Sequence, residues 1–145
     1  MSEENVEVVL GVYRAADVDY VALHRDDSLW AELAKELAPF VHADLETVLV
    51  ALGSEKRYTG GLDGLRAFLV DWLAPWTAYR IENHQAIDLG ERVLVLSHDC
   101  GRREGSSQEV RGSQGALWTI RDGKVFRLIA YGSRADALKA VGLEE

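Results

Sequence analysis

Apolar residues in the first 40 positions recur three or four residues apart, which is the spacing of amphipathic helices. The first predicted helix has an apolar face made of Val6, Val9, Leu10, Tyr13 and Ala16. Asp19 is predicted to cap a short second helix over 20–24, because an aspartate at this position accepts hydrogen bonds from the first turn. A third helix is capped within 26–28 and ended by Pro39, and its buried face is Leu29, Trp30, Leu33 and Leu37.

The spacing changes after Pro39, where apolar and polar residues alternate over 45–51 as they do in a β-strand. A loop is predicted over 53–56, followed by a helix with Asp63 as its cap. The buried face of that helix is Leu65, Phe68, Leu69, Trp72 and Leu73. The remaining sequence predicts four strands and a short helix opened by Ser133, and the strands cover 77–88, 92–100, 108–120 and 124–131.

Helices come first and strands last, without the strand–helix alternation of a parallel sheet. This order predicts an α+β fold in which helices pack on one face of a curved antiparallel sheet. The chain has 145 residues, the length of one typical domain, and no linker-like segment divides it. We therefore expect residues 1–145 to form a single domain.

Charge is unevenly distributed along the chain, and this narrows the possible partners. The formal net charge is −8, and the first 50 residues carry all of it, with eleven carboxylates and three basic residues. Such a negative field repels nucleic acid and anionic lipid, so neither a nucleic-acid nor a membrane partner is expected. Because the acidic excess falls on the predicted helices, the mouth of a cavity beneath them is expected to be acidic and to favour neutral or cationic ligands.

Cysteine usage and the N-terminus indicate a compartment. Cys100 is the only cysteine, so no internal disulfide can form, which suits a reducing environment. The acidic N-terminus lacks the basic and apolar regions of a signal peptide, and no apolar run approaches the length of a membrane span. A cytoplasmic location is expected.

The general motifs of metal sites and nucleophilic enzymes are absent from the sequence. There is no His-Glu-x-x-His, no paired Cys-x-x-Cys and no Gly-x-Ser-x-Gly, and the four histidines lack the spacing of metal ligands. We therefore expect neither a metal nor a cofactor.

The predicted strand over 92–100 offers the main polar candidates. Successive side chains of a strand point to opposite faces of the sheet. One face carries Val93, Val95, Ser97 and Asp99, and the other carries Leu94, Leu96, His98 and Cys100. The first two residues on each face are apolar, which predicts that the strand is covered on both sides. Ser97, His98 and Asp99 then lie either at a polar site or at a solvent-exposed strand end.

Several segments of the chain resemble SnoaL-like members of the nuclear transport factor 2-like superfamily. They are the opening Ser-Glu-Glu-Asn-Val-Glu-Val-Val, the block at 58–68, the hairpin at 117–125 and the tail at 131–138. The resemblance covers nearly the whole chain except 24–40, where this sequence is longer than the usual pattern. It implies a cone in which the N-terminal helices pack over the concave face of a bent antiparallel sheet and enclose a pocket, usually in a homodimer. Proteins of this fold include isomerases, cyclases, hydrolases and non-catalytic binding domains.

Ketosteroid isomerases of this superfamily need a carboxylate base and a protonated aspartic acid. By resemblance, the position of the base is Thr47 here and that of the acid falls near Ser113. Tyr13 lies within one position of their helix-one tyrosine. Without the base and the acid, isomerisation by that mechanism is not expected.

Limonene epoxide hydrolases resemble the chain in the same regions and use an Asp-Arg-Asp arrangement. The first aspartate aligns with Asp99, whereas the arginine position is Ser97 and the second aspartate position is Ala130. Asp99 is therefore the one charged group of that arrangement that this sequence retains.

The sequence thus predicts a small-molecule-binding protein with a hydrophobic pocket. Asp99 is the predicted acid–base group of an isomerase, cyclase or hydrolase acting on a neutral apolar ligand, and the ligand-binding candidates are Tyr13, Thr47, Ser97 and Ser113. The alternative is a non-catalytic ligand-binding or dimerisation module, because most charged catalytic positions of the fold are lost. A third interpretation is a protein–protein adaptor that uses the exposed face of the sheet.

Overall fold

The computed structural model describes residues 2–143. In chain order, the elements are α1 (Ser2–Ala15), α2 (Tyr20–Arg25), α3 (Asp27–Leu37), a 3-10 turn (Ala38–Phe40), β1 (Val41–Ala51), β2 (Ser54–Tyr58), α4 (Leu62–Leu73), β3 (Trp76–Asp88), β4 (Arg92–Arg103), β5 (Glu109–Arg121), β6 (Lys124–Tyr131) and α5 (Arg134–Ala140).

Short polar side chains begin three of the helices, as the sequence predicts. Asp19 caps α2 and Asp26 caps α3, each by accepting hydrogen bonds from backbone N–H groups two and three residues ahead. Ser133 caps α5 in the same way through the N–H of Asp136. These bonds satisfy donors that have no partner inside the helix, which fixes where each helix starts.

The six strands of the described chain form one curved sheet in the order β2-β1-β6-β5-β4-β3. Four of the five neighbouring pairs are antiparallel, as predicted, whereas β1 runs parallel to β6. No hairpin joins β1 to β6 in sequence, so no turn dictates an antiparallel direction for this pair. Irregularities in the register of β1, β3 and β6 bend the strands and contribute to the curvature.

Two local predictions between β1 and α4 are wrong. The predicted loop over 53–56 belongs largely to β2, which follows a tight turn with positive φ at Leu52 and Gly53. The N-cap of α4 is Gly61 rather than Asp63, which lies in the first turn. Gly61 has a φ of 66°, and a Cβ at this position would lie 2.4 Å from the carbonyl oxygen of Ala43, so a glycine is required.

The sheet is covered on both faces, and β4 shows this directly. Val93 and Val95 belong to the large core between the concave face and helices α1, α3 and α4. Leu94 and Leu96 belong to a smaller core between the opposite face and α5. All four side chains are buried, which confirms the prediction from the alternating pattern. No helix in residues 2–143 has the length and apolarity needed to cross a membrane.

Candidate functional site

A cavity of about 130 Å³ lies between the N-terminal helices, α4 and the concave face of the sheet. Most of its lining is apolar and includes Val12, Leu33, Leu65, Phe68, Trp118 and Leu128. An apolar cavity of roughly 150 Å³ is large enough to hold a benzene molecule. The space is therefore suited to a small ring compound.

Tyr13, a candidate from the sequence, lies on the cavity wall. Its hydroxyl oxygen accepts a hydrogen bond of 3.3 Å from the Trp118 indole nitrogen, and its ring stacks on His84 with a centroid distance of 5.0 Å. Burial raises the pKa of Tyr13 well above its ordinary value of 10.0. Tyr13 is therefore a neutral phenol whose O–H proton is still available to a ligand.

Asp99 is 5% exposed and lies beside the cavity, behind Tyr79. Tyr79 lines the cavity and donates its hydroxyl proton in a hydrogen bond to Oδ2 of Asp99. Burial raises the pKa of Asp99 above its ordinary value of 3.8, and the bond from Tyr79 opposes part of this shift. Burial, the Asp99 charge and the hydrogen bond all raise the pKa of Tyr79. Asp99 also lines a separate surface groove with Gly112 and Ser113, so the proton shared by Tyr79 and Asp99 lies between the cavity and this groove.

The neighbouring strand leaves space for the Asp99 carboxylate. Gly112 on β5 is the cross-strand partner of Asp99. A Cβ at residue 112 would lie 3.2 Å from Oδ1 of Asp99, which is closer than nearly all real contacts of this kind. A side chain at this position would therefore press on the carboxylate.

The structure separates the other three candidates. Ser97 lines the cavity from β4. Thr47 is fully buried on β1 and is not part of the lining, although its partner on β6, Leu128, is. The Thr47 hydroxyl has no hydrogen-bond partner among the described residues. Ser113 is exposed, and the alternation of β5 places it on the same face as Leu117, away from the cavity. It lines a separate surface groove to which Asp99 also contributes. Tyr13 and Ser97 thus both lie on the cavity wall, and Asp99 is connected to this wall through its hydrogen bond with Tyr79.

Three lining residues with a hydroxyl or amide group were not among the candidates from the sequence: Tyr20, Tyr79 and Gln114. The rings of Tyr20 and Tyr79 meet edge to face at 5.9 Å, and burial raises the pKa of Tyr20 to about 12. Gln114 is the cross-strand partner of Ser97. The period-two pattern of β5 could have found Gln114, because it shares a face with Trp118.

A polar groove adjoins the cavity and shares Tyr13 and Tyr20 with it. Its charged residues are Arg14, Asp17, Arg80 and Glu82. Two basic and two acidic groups line this groove, so the acidic mouth expected from the sequence is not found at this place.

One group of possible metal ligands occurs among the described residues, on the outer face of the sheet. The ligand atoms of Glu82, Cys100 and Glu109 lie within 4.8 Å of one another. Both carboxylates already form ion pairs, Glu82 with Arg111 at 2.5 Å and Glu109 with Arg80 at 3.3 Å. Burial and the two carboxylates raise the pKa of Cys100 to about 11, so the thiol keeps its proton. This chemistry favours an ion-pair network over a cation site.

The fold and the cavity define a class of cone-shaped α+β proteins in which helices close the concave face of a curved sheet. The family model of the SnoaL-like domain matches residues 27–128, so the chain belongs to this family. Among curated proteins, no sequence matches the chain.

Three solved structures of similar fold illustrate the relationship. TerC, co-crystallised with polyporic acid, is 21% identical over 88% of this chain and 89% of its own, with a TM-score of 0.64. An NTF2-like protein from Burkholderia xenovorans LB400 is 20% identical over 90% of each chain, also with a TM-score of 0.64. An LEH-like epoxide hydrolase from M. tuberculosis is 16% identical over 95% of this chain and 89% of its own, with a TM-score of 0.59. At these identities the likeness establishes the fold.

Proposed function

We propose that this protein binds a small, neutral and mostly apolar molecule in the cavity and acts on it by proton transfer, as an isomerase, cyclase or hydrolase. The observation that carries the proposal is the buried Asp99–Tyr79 pair, in which Tyr79 faces the cavity and Asp99 receives its hydrogen bond. Asp99 is the acid–base group of the proposed reaction.

The pair offers a path for one proton. A proton leaving the ligand passes to the phenol oxygen of Tyr79, and the original Tyr79 proton passes to the Asp99 carboxylate, so that Tyr79 stays neutral. The raised pKa of Asp99 favours this transfer, because a base is more effective when its pKa is closer to the working pH. The reverse movement returns the proton to another atom of the ligand.

The apolar lining supports the binding part of the proposal. Removal of a neutral ring compound from water into such a lining is favoured by about 25 cal/mol for each Å² of apolar surface buried. The TerC structure, which contains polyporic acid, supports small-molecule binding within this fold.

Binding can be tested with the single-ring hydrocarbon cyclohexane as a probe, by thermal shift and by the fluorescence of the cavity tryptophans. At a concentration of about 100 times Kd, a ligand stabilises the folded state by about 2.7 kcal/mol. Ala116→Leu, which places a larger side chain in the cavity, should abolish the shift, whereas Ala31→Leu at an exposed position of α3 should keep it. Equal shifts in the two variants would contradict binding in this cavity.

Catalysis can be tested with a panel of neutral ring ketones and epoxides. On any compound that is turned over, Asp99→Asn should lower kcat by 100-fold or more, in keeping with the roughly 10²–10⁴-fold contribution of a positioned acid or base. Asp44→Asn, at an exposed site on β1, is the control and should keep the rate. An unchanged rate in Asp99→Asn would remove Asp99 from the mechanism.

A non-catalytic ligand-binding module is the second candidate function. It is favoured by the placement of Asp99, whose carboxylate lies behind Tyr79 and is not part of the cavity lining. Binding of the probes without turnover of any compound in the panel would support this candidate. For either function, we propose a single domain over residues 1–145 that acts as a homodimer in the cytoplasm.

A further inference from the structure

Ser97 and Gln114 form a polar pair on the cavity wall. They are direct cross-strand partners on β4 and β5, and both line the cavity. Directly opposed residues of an antiparallel pair have Cβ atoms about 4.5–5.5 Å apart and point to the same face. One ligand atom can therefore lie within reach of both side chains.

The hydrogen-bonding groups of this pair are free within the described part of the chain. No hydrogen bond joins the Ser97 hydroxyl or the Gln114 amide to another residue there, whereas the hydroxyl groups of Tyr13 and Tyr79 each have a side-chain partner. A hydrocarbon that fills the cavity would displace water from both groups without forming hydrogen bonds to them, and this weakens its binding.

We propose that the ligand of this cavity carries a carbonyl oxygen, which accepts hydrogen bonds from Oγ of Ser97 and from the Gln114 amide nitrogen. A hydroxyl donor and an amide donor match the two lone pairs of a carbonyl oxygen. The inference rests on the proposed function, because it assigns a chemical class, a neutral ring ketone, to the ligand of the same cavity.

The position of the pair also orients the ligand. Ser97 lies two residues from Asp99 on the same face of β4, and Gln114 lies two residues from Gly112 on the same face of β5. The ketone end of the ligand is therefore the end closest to the Tyr79–Asp99 pair, and the hydrocarbon end extends toward Leu128 and α4.

The inference can be tested with three single-ring compounds of matched size: cyclohexane, cyclohexanone and cyclohexanol. Each is titrated into the full-length protein, with binding followed by tryptophan fluorescence. We expect cyclohexanone to bind about tenfold more tightly than cyclohexane, the ratio that corresponds to one well-formed hydrogen bond in a partly buried site. Ser97→Ala and Gln114→Leu should each remove most of this preference. Ser107→Ala and Gln85→Leu, at exposed positions outside the cavity, should keep the preference.

A second measurement on the unaltered protein does not depend on how the variants fold. In NMR spectra, the side-chain amide signals of Gln114 should shift more with cyclohexanone than with cyclohexane. Equal affinity for the ketone and the hydrocarbon, tighter binding of cyclohexanol than of cyclohexanone, or a preference that survives in both variants would each overturn this inference and leave binding in the cavity standing. Failure of all three compounds to bind would overturn the proposed function itself.

Discussion

Two buried polar side chains on the concave face, Asp99 and Thr47, differ in how their polar atoms are satisfied. Asp99 accepts a hydrogen bond from Tyr79, whereas the Thr47 hydroxyl has no partner among the described residues. Burying a polar group without all of its hydrogen bonds costs free energy at both residues. Only the cost at Asp99 depends on pH, because a carboxyl group ionises in the accessible pH range and a threonine hydroxyl does not.

Asp99→Asn is expected to increase the free energy of unfolding, and to increase it more at about pH 7 than at about pH 4. Because the pKa of Asp99 is raised in the folded state, the folded protein binds more protons than the unfolded chain at pH values between 3.8 and the pKa of Asp99 in the folded protein. Stability therefore falls as the pH rises through that window. Asn stays neutral and keeps an acceptor oxygen for Tyr79. Urea unfolding of both proteins across this pH range measures the difference, and a difference that shrinks as the pH rises would contradict the prediction.

Thr47→Val should raise the free energy of unfolding by about 1 kcal/mol, because it replaces an unpaired buried hydroxyl with a methyl group of similar size. Urea denaturation at constant pH measures the effect. Thr77→Val is the control, since the Thr77 hydroxyl donates a hydrogen bond to the Arg102 carbonyl and its loss should not stabilise the protein. A loss of stability in Thr47→Val would indicate that the hydroxyl has a partner in solution.

At the scale of elements, the helices and long strands follow from the sequence, and the failures have specific causes. The strand β2 does not follow from the sequence because four of its five residues are exposed and charged or polar, so it shows no alternation of hydrophobicity. It forms because it pairs with β1 along five residues and not because of its own pattern. Such tertiary pairing cannot be read from a short polar segment.

The candidate site was predicted in part for a similar reason. Ser97 and Asp99 could be found because β4 alternates cleanly. The resemblance points to a position near Ser113, and a shift of one residue moves a side chain to the opposite face of the strand, where Gln114 lies. The role of Tyr79 depends on its diagonal placement across β3 and β4, which only the register of the two strands defines.

The contact between α5 and the sheet depends on the absence of a side chain at Gly115. A Cβ at this residue would lie 2.2 Å from the Cβ of Ala137, which is fully buried in α5. Gly115→Ala should therefore lower the free energy of unfolding by about 1–3 kcal/mol, the usual cost of overpacking. Denaturant unfolding measures the loss. In the Gly115→Ala background, Ala137→Gly should recover part of it, and a further loss in the double variant would argue against this contact as the cause.

At the scale of the whole molecule, the two faces of the sheet differ in chemical character. The concave face is closed by helices and holds the cavity. Part of the outer face is covered by α5, and another part carries the ion pairs that link Arg80 and Arg111 to Glu82 and Glu109. Exposed pairs of this kind contribute little to stability, so they serve mainly to keep this face hydrophilic.

A homodimer predicts a concentration-dependent thermal midpoint, because association stabilises only the folded chains. We expect the midpoint to rise when the protein concentration is increased about 100-fold, and sedimentation at the higher concentration to give the mass of two chains. A midpoint that is independent of concentration, together with the mass of one chain, would contradict the homodimer.

The parallel pairing of β1 and β6 has a consequence for the order in which the protein can be built. Val41 pairs with Val125 and Val50 pairs with Tyr131, so the middle of the sheet joins segments that are separated by about eighty residues of chain. During synthesis, β1 leaves the ribosome long before its partner β6, whereas its other neighbours β2 and α4 follow it directly. The cavity wall therefore remains open until β6 has emerged, and its apolar residues are exposed to chaperones and to other nascent chains for that interval.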